Sequence, residues 1–160
     1  MQIRPTIKSD VDQLWEIFRE VITAGDTYAY DGSTTKDDFE KLWFGKNSQS
    51  YVAETDNQIL GTYFIKPNQP GRGSHIANGG YMVCASAQGQ GIGKKLGIHS
   101  IEAAKKVGYT AMQFNFVVST NLSAVRLWKE IGFEIIGTIP EAFNHAQKGL
   151  VDALVMYRKL

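Results

Sequence analysis

The sequence has a single cysteine, Cys84, so no disulfide can form within the chain, and its place in an apolar run reads as a core residue in a reducing compartment. It also lacks an excess of either charge. Seventeen basic residues stand against sixteen acidic ones, which removes any general electrostatic reason to bind nucleic acid or an anionic membrane. No run approaches the roughly 18 apolar residues that span a bilayer. The opening residues Met1 to Pro5 show no basic leader followed by an apolar stretch, so cytoplasmic residence is the expectation. Internal repeats and low-complexity tracts are missing as well. What is present is ordinary globular usage, 43% hydrophobic and 21% charged, which predicts one domain over residues 1–160 with a packed core.

Along the chain, Val11, Leu14, Trp15, Phe18, Val21 and Ile22 recur with helical spacing behind a capping box at Ser9 to Asp12. A second helix is expected from about Thr35, carrying Phe39, Leu42 and Trp43. Ser50 to Ala53 and Ile59 to Ile65 read as a hairpin joined by Asp56-Asn57, a turn pair that tolerates positive φ. Lys66 to Ser74, with two of the four prolines, reads as a long connection. A strand over Gly79 to Ala85, a helix over Gly91 to Val107, a strand over Ala111 to Val118 and a helix over Asn121 to Ile131 follow. Two strands, Phe133 to Gly137 and Val151 to Tyr157, end the pattern. An antiparallel front half followed by strand-helix-strand units predicts an α/β fold with a mixed central sheet and helices on both faces.

Chemistry is concentrated in the turn Gln88-Gly-Gln-Gly-Ile-Gly93, which leads into a helix bearing Lys94 and Lys95. Glycines let a backbone approach a ligand, and a helix start offers unpaired N–H groups and a positive dipole end, so a phosphate or pyrophosphate is the natural guest. A P-loop would need glycine at position 88 and Ser or Thr at 95, where Gln88 and Lys95 stand. A dinucleotide fingerprint would need glycine at 94 or 96, where Lys94 and Leu96 stand.

The remaining pattern, Gln-x-x-Gly-x-Gly over Gln88, Gly91 and Gly93, resembles the acyl-coenzyme A pyrophosphate loop of the GNAT N-acetyltransferase superfamily. Asn121-Leu-Ser-Ala-Val-Arg-Leu-Trp-Lys-Glu-Ile-Gly-Phe133 resembles that superfamily's second signature. The resemblance implies the GNAT fold, with its central sheet splayed at the cofactor strand. It further implies acetyl-coenzyme A as co-substrate, an amine as acceptor, direct acetyl transfer without a covalent enzyme intermediate, and no requirement for a metal. Cys84 is not a nucleophile on this reading.

Residue by residue, the resemblance implies that backbone groups of Met82 and of Cys84 or Val83 meet pantetheine, one N–H polarising the thioester carbonyl. The amides of Gln88, Gly89, Gln90, Gly91, Ile92, Gly93 and Lys94 would hold the pyrophosphate; the Lys94 ammonium is equally a solvated surface charge. Asn121 matches the asparagine that bonds the pantetheine arm and is also a good helix N-cap. On the same cofactor wall Trp128 stands where many members carry a tyrosine general acid, and an indole N–H donates a hydrogen bond but is no proton acid near neutral pH. The attacking amine must lose a proton, and Asp26, Asp31, Glu54 and His75 are the candidate bases. Asn78, Asn115 and Asn121, with their flanks Asn-Gly-Gly-Tyr and Phe-Asn-Phe-Val, resemble the fungal acetyltransferases of proline analogues such as azetidine-2-carboxylate. In that reading Asn78 and Asn115 orient the amine. Asn115, within the apolar strand Met112 to Val118, is expected as a buried amide that must find partners, and a satisfied core amide is the alternative account.

Tyr28 and Tyr30 fall where small GNAT enzymes have a lid over the acceptor, although a dimer contact explains exposed aromatics equally well. Homodimers are common in the superfamily, and no feature of this sequence decides the point. Phe143 and His145 lie in what reads as an ordinary hairpin loop, an addition to the acceptor pocket being the alternative, and His99 reads as a surface helix residue. The acceptor alternatives are a phosphinothricin-like xenobiotic and a protein N-terminus, and the alternative class is a non-catalytic acyl-coenzyme A sensor.

Overall fold

A computed structural model describes residues 1–160. Its strands are β1 (Gln2–Pro5), β2 (Gln49–Thr55), β3 (Gln58–Pro67), β4 (Ile76–Val83), β5 (Ala111–Val118), β6 (Glu134–His145) and β7 (Gly149–Lys159). Its helices are α1 (Val11–Ala24), α2 (Lys36–Trp43), α3 (Ile92–Val107) and α4 (Leu122–Glu130). The strands form one sheet in the order β1-β2-β3-β4-β5-β7-β6, antiparallel except for the β4–β5 pair. No helix is long and apolar enough to cross a membrane.

Alternation along β3 builds two layers, because successive side chains leave a strand on opposite faces. Phe64 joins Leu14, Phe18, Phe39, Trp43 and Met82 in the cluster under α1 and α2. Tyr63 and Ile65 join Leu96, Phe114, Trp128 and Phe133 in the cluster under α3 and α4. α1 buries Leu14, Ile17, Phe18 and Ile22, one helical face, and stops at Gly25 in the left-handed region (φ 63°). The Asp56-Asn57 turn has positive φ at both residues, 52° and 63°, as the hairpin requires.

Several local expectations change. The capping box at Ser9 does not form; Asp10 instead accepts from the Ile7 amide at 2.8 Å and pairs with Arg4. A reciprocal box does form at Thr35 and Asp38, at the start of α2. Pro140 to His145 is no loop but the second half of β6, which crosses an irregularity between Ile139 and Phe143 and resumes pairing at Phe143↔Val151. Proline is tolerated there because β6 is the sheet's outer strand.

The feature that positions the site lies at the sheet's centre. β4 and β5 pair only at Ile76↔Ala111 and Ala77↔Met112, and beyond those two rungs the strands part. β5 stays with β7 but breaks register between Phe114 and Val117, leaving Asn115 and Phe116 exposed. The buried amide expected at Asn115 is therefore an exposed one, turned out by this bulge. Parting of the strands opens a cavity of about 900 Å³.

Candidate active site

The direction of each β4 amide decides what the cavity can bind. The Cys84 N–H donates to the Leu60 carbonyl at 2.9 Å, across to β3. Alternation then turns the Tyr81 and Val83 amides away from β3 and into the gap, and the Met82 amide toward β3. Of the expected Met82 and Cys84 or Val83, the Met82 and Cys84 amides face the ladder, and the Val83 amide is the one turned from β3 with no strand on that side. The Met82 side chain is core, 2% exposed, and Cys84 is half-buried with its Sγ 3.1 Å from Ser86 Oγ. The Tyr81 amide donates to the Tyr28 hydroxyl at 2.8 Å, and the same hydroxyl donates to the Tyr81 carbonyl at 3.0 Å.

Beyond Val83 the chain enters the glycine turn. Gly89 and Gly91 have φ of 75° and 74°, and a Cβ at either would meet nothing within 4 Å, so conformation and not space calls for glycine. Gly91 is the N-cap of α3 without a side-chain cap. From Gly89 to Lys94 no backbone N–H has a hydrogen-bond partner in the protein. These open donors at the positive end of a helix dipole suit a pyrophosphate. Gln88, Gly89, Gly91, Ile92, Gly93 and Lys94 line the cavity, while the Gln90 side chain ties the turn to the Ser86 carbonyl at 3.0 Å. The Lys94 ammonium is paired with Glu130.

On the opposite wall, Asn121 caps α4 by accepting from the Ala124 amide at 3.2 Å, and it also accepts from Ser123 Oγ at 2.9 Å. Its amide nitrogen donates to no protein group, and the residue lines the cavity, so capping does not exclude a ligand contact. Trp128, 8% exposed, packs between Tyr81 and Phe114 with ring centroids 4.7 Å from each. Close approach of α3 at Gly97 holds it there, since a Cβ at Gly97 would lie 3.0 Å from the Trp128 ring.

At the other end of the gap, the structure brings Asn78 and Asn115 together through a residue the sequence reading missed. Asn68 Oδ1 accepts from Asn78 Nδ2 at 3.1 Å and from Asn115 Nδ2 at 2.7 Å, and Gln113 donates to Asn115 Oδ1 at 2.9 Å. Asn68 follows β3 between two prolines, and no local signal separates it from an ordinary loop residue. Tyr28 and Tyr30 stack at 6.2 Å and line the same cavity, with Tyr30 against Phe18 at 5.6 Å. Burial raises both phenols above their ordinary pKa, so both are protonated at neutral pH.

Of the candidate bases, only Asp26 lines the cavity. Glu54 pairs with Arg4 at 2.5 Å, and Asp31 accepts from the Ser33 amide and hydroxyl. His75 lies outside the lining. Glu20, which the sequence reading did not single out, lines the cavity one helical turn before the end of α1. Phe143 and His145 are buried in β6, and His145 accepts from the Gln147 amide at 3.0 Å. His99 is half-buried, its Nδ1 2.7 Å from the Tyr63 hydroxyl, so it is no simple surface residue. The β6–β7 turn latches onto α1 where the Ala146 amide donates to the Gly25 carbonyl at 2.9 Å.

The model of the acetyltransferase (GNAT) family matches residues 11–133. N-acetyltransferase aca1 of Schizosaccharomyces pombe is 31% identical over 151 residues, covering 84% of this chain and 72% of that protein. The solved structure of a GCN5-related N-acetyltransferase from Kribbella flavida is 42% identical with a TM-score of 0.95, covering 99% of this chain and 97% of that one. The yncA acetyltransferase from Salmonella typhimurium, solved with its cofactor acetyl-coenzyme A, shares the fold at a TM-score of 0.85 and 22% identity, covering 100% and 94% of the two chains. With its splayed sheet, open turn amides and family match, this chain belongs to the GNAT family of acetyl-coenzyme A-dependent N-acetyltransferases.

Proposed function

We propose that this chain acetylates the amine of a small amino acid or analogue, cyclic imino acids such as azetidine-2-carboxylate included. The observation that carries this reading is the division of one cavity into two chemically different ends. One end offers the Val83 amide and the open N–H groups of Gly89 to Lys94; the other offers the amides of Asn78 and Asn115, tied together by Asn68.

Bound acetyl-coenzyme A supplies an activated thioester, whose C–S bond breaks as the N–C bond to the acceptor forms. The chain's part is positioning and polarisation. The Gly89 to Lys94 amides hold the pyrophosphate, the Val83 amide and Asn121 hold the pantetheine arm, and Asn78 and Asn115 orient the acceptor. A carboxylate on the α1 side, Asp26 or Glu20, takes the proton the amine must lose, directly or through water. Trp128 packs the wall beside the reacting groups and offers only a hydrogen-bond donor. Cytoplasmic residence goes with this reading, since Cys84 stays a free thiol there.

Acetyl-coenzyme A-dependent thiol release across a panel of cyclic imino acids, other amino acids, phosphinothricin, polyamines and a peptide N-terminus tests it. Turnover of small amino acids is the expected result. Turnover confined to peptides or polyamines overturns the acceptor assignment, and silence with acetyl-coenzyme A binding intact turns the reading toward a sensor.

A further inference from the structure

The acceptor end carries a cation that nothing in the site so far uses. Lys66 lies on β3 directly across from Asn78 and lines the cavity. None of the protein's seven ion pairs includes it. Its ammonium sits 5.3 Å from the centroid of the Phe64 ring, a cation–π contact that leans the side chain along the strand. Phe64 stands across from Gly80, and its ring would lie 2.6 Å from a Cβ placed there; the Tyr28 hydroxyl would lie 3.1 Å from the same point. Ring and hydroxyl therefore meet over Gly80, and the ammonium lies beside that ring.

Two acids and two lysines line the cavity. The Glu20 carboxylate accepts from the Ala85 amide at 3.3 Å and Lys94 is paired with Glu130, whereas Asp26, in the loop after α1, and Lys66, on β3 across from Asn78, belong to no ion pair. An unpaired carboxylate and an unpaired ammonium in one cavity are the complement of a zwitterion. A ligand carboxylate brought into such a cleft must find both a countercharge and hydrogen-bond donors, and Lys66 with the neighbouring amides supplies them.

We infer that Lys66 is a specificity-determining residue, binding the carboxylate of the acceptor so that acidic amino acid forms are preferred over their carboxamides and over simple amines. This rests on the amino acid reading of the site. Lys66 forms no part of the transfer chemistry, and its effect is on acceptor recognition.

The test compares kcat/KM for each accepted amino acid with that for its primary carboxamide, in the wild type, Lys66→Met, Lys66→Arg and Lys66→Glu, with acetyl-coenzyme A binding measured on every variant as the control for folding. The expected result is an acid-over-amide preference that falls roughly 10- to 100-fold in Lys66→Met, the scale of one charge-assisted hydrogen bond. Lys66→Arg retains most of the preference and Lys66→Glu reverses it. Equal losses for acid and carboxamide in Lys66→Met, or a preference unchanged in all three variants, overturn the inference while leaving the amino acid reading in place. A wild type that acetylates only amines without a carboxylate overturns both.

Discussion

The Tyr28 hydroxyl closes a two-way hydrogen bond with the backbone of Tyr81, accepting from its amide at 2.8 Å and donating to its carbonyl at 3.0 Å. A strand edge that loses its neighbour exposes both groups, and here a side chain from the α1–α2 loop stands in for β5. Gly80 permits the approach, since a Cβ there would meet the Phe64 ring.

Removal of that hydroxyl in Tyr28→Phe leaves the Tyr81 amide and carbonyl without their partner in a buried place. A loss of about 1–3 kcal/mol is expected, the cost of unsatisfied buried polar groups. Urea unfolding measures it. Stability equal to wild type would mean that water satisfies the edge without Tyr28.

Gly89→Val places a β-branched residue at φ 75°, where no neighbour obstructs it but the backbone conformation does. The turn shifts, and the row of open amides loses its alignment. Acetyl-coenzyme A affinity by titration calorimetry is expected to fall on the order of tenfold or more, about 1.4 kcal/mol. An unchanged affinity would remove this turn from the pyrophosphate site.

Trp128 fills the space between Tyr81, Phe114 and Phe133. Trp128→Ala is expected to cost about 3–5 kcal/mol through the cavity it leaves, whereas Trp128→Phe keeps most of the packing. Thermal unfolding of the two variants separates them. Equal small losses would show that α4 re-packs freely against α3.

His99 provides a pH test. Burial, with a lesser contribution from Lys106, lowers its pKa from the ordinary 6.5, so folding favours the neutral ring, whose Nδ1 lies 2.7 Å from the Tyr63 hydroxyl. The unfolded chain binds this proton more readily, and stability therefore rises with pH. The contribution is complete above about pH 6.5 and is lost as the pH falls through the folded-state value below it. Stability measured from pH 5 to 7.5 should slope less in His99→Gln than in wild type; parallel curves would show that the ring titrates alike in both states.

Much of this molecule was legible from local chemistry. α1 follows from an apolar stripe, the β2–β3 hairpin from a turn pair that accepts positive φ, and the α3 entry from glycines at the two positions that need it. Such elements depend on residues close in sequence, whose backbone preferences act before any tertiary contact forms. β6 runs past the Gly137 at which the sequence pattern ends it, since Pro140 is tolerated on an outer strand, and only the sheet order says that β6 is one.

The candidate site divides along the same line. By itself the sequence determined the glycine turn that opens α3, the Asn121 cap and the presence of asparagines on β4 and β5, because each is a residue type at a fixed local place. Tertiary structure alone decided that Val83 and not Cys84 turns its amide into the gap, since the phase of a two-residue alternation is set by the partner strand. It also decided that Asn68 joins Asn78 to Asn115, that Tyr28 caps Tyr81, and that Lys66 lines the cavity across from Asn78. Those residues lie far apart along the chain, and only the pairing of strands and the splay between β4 and β5 bring them to one cavity.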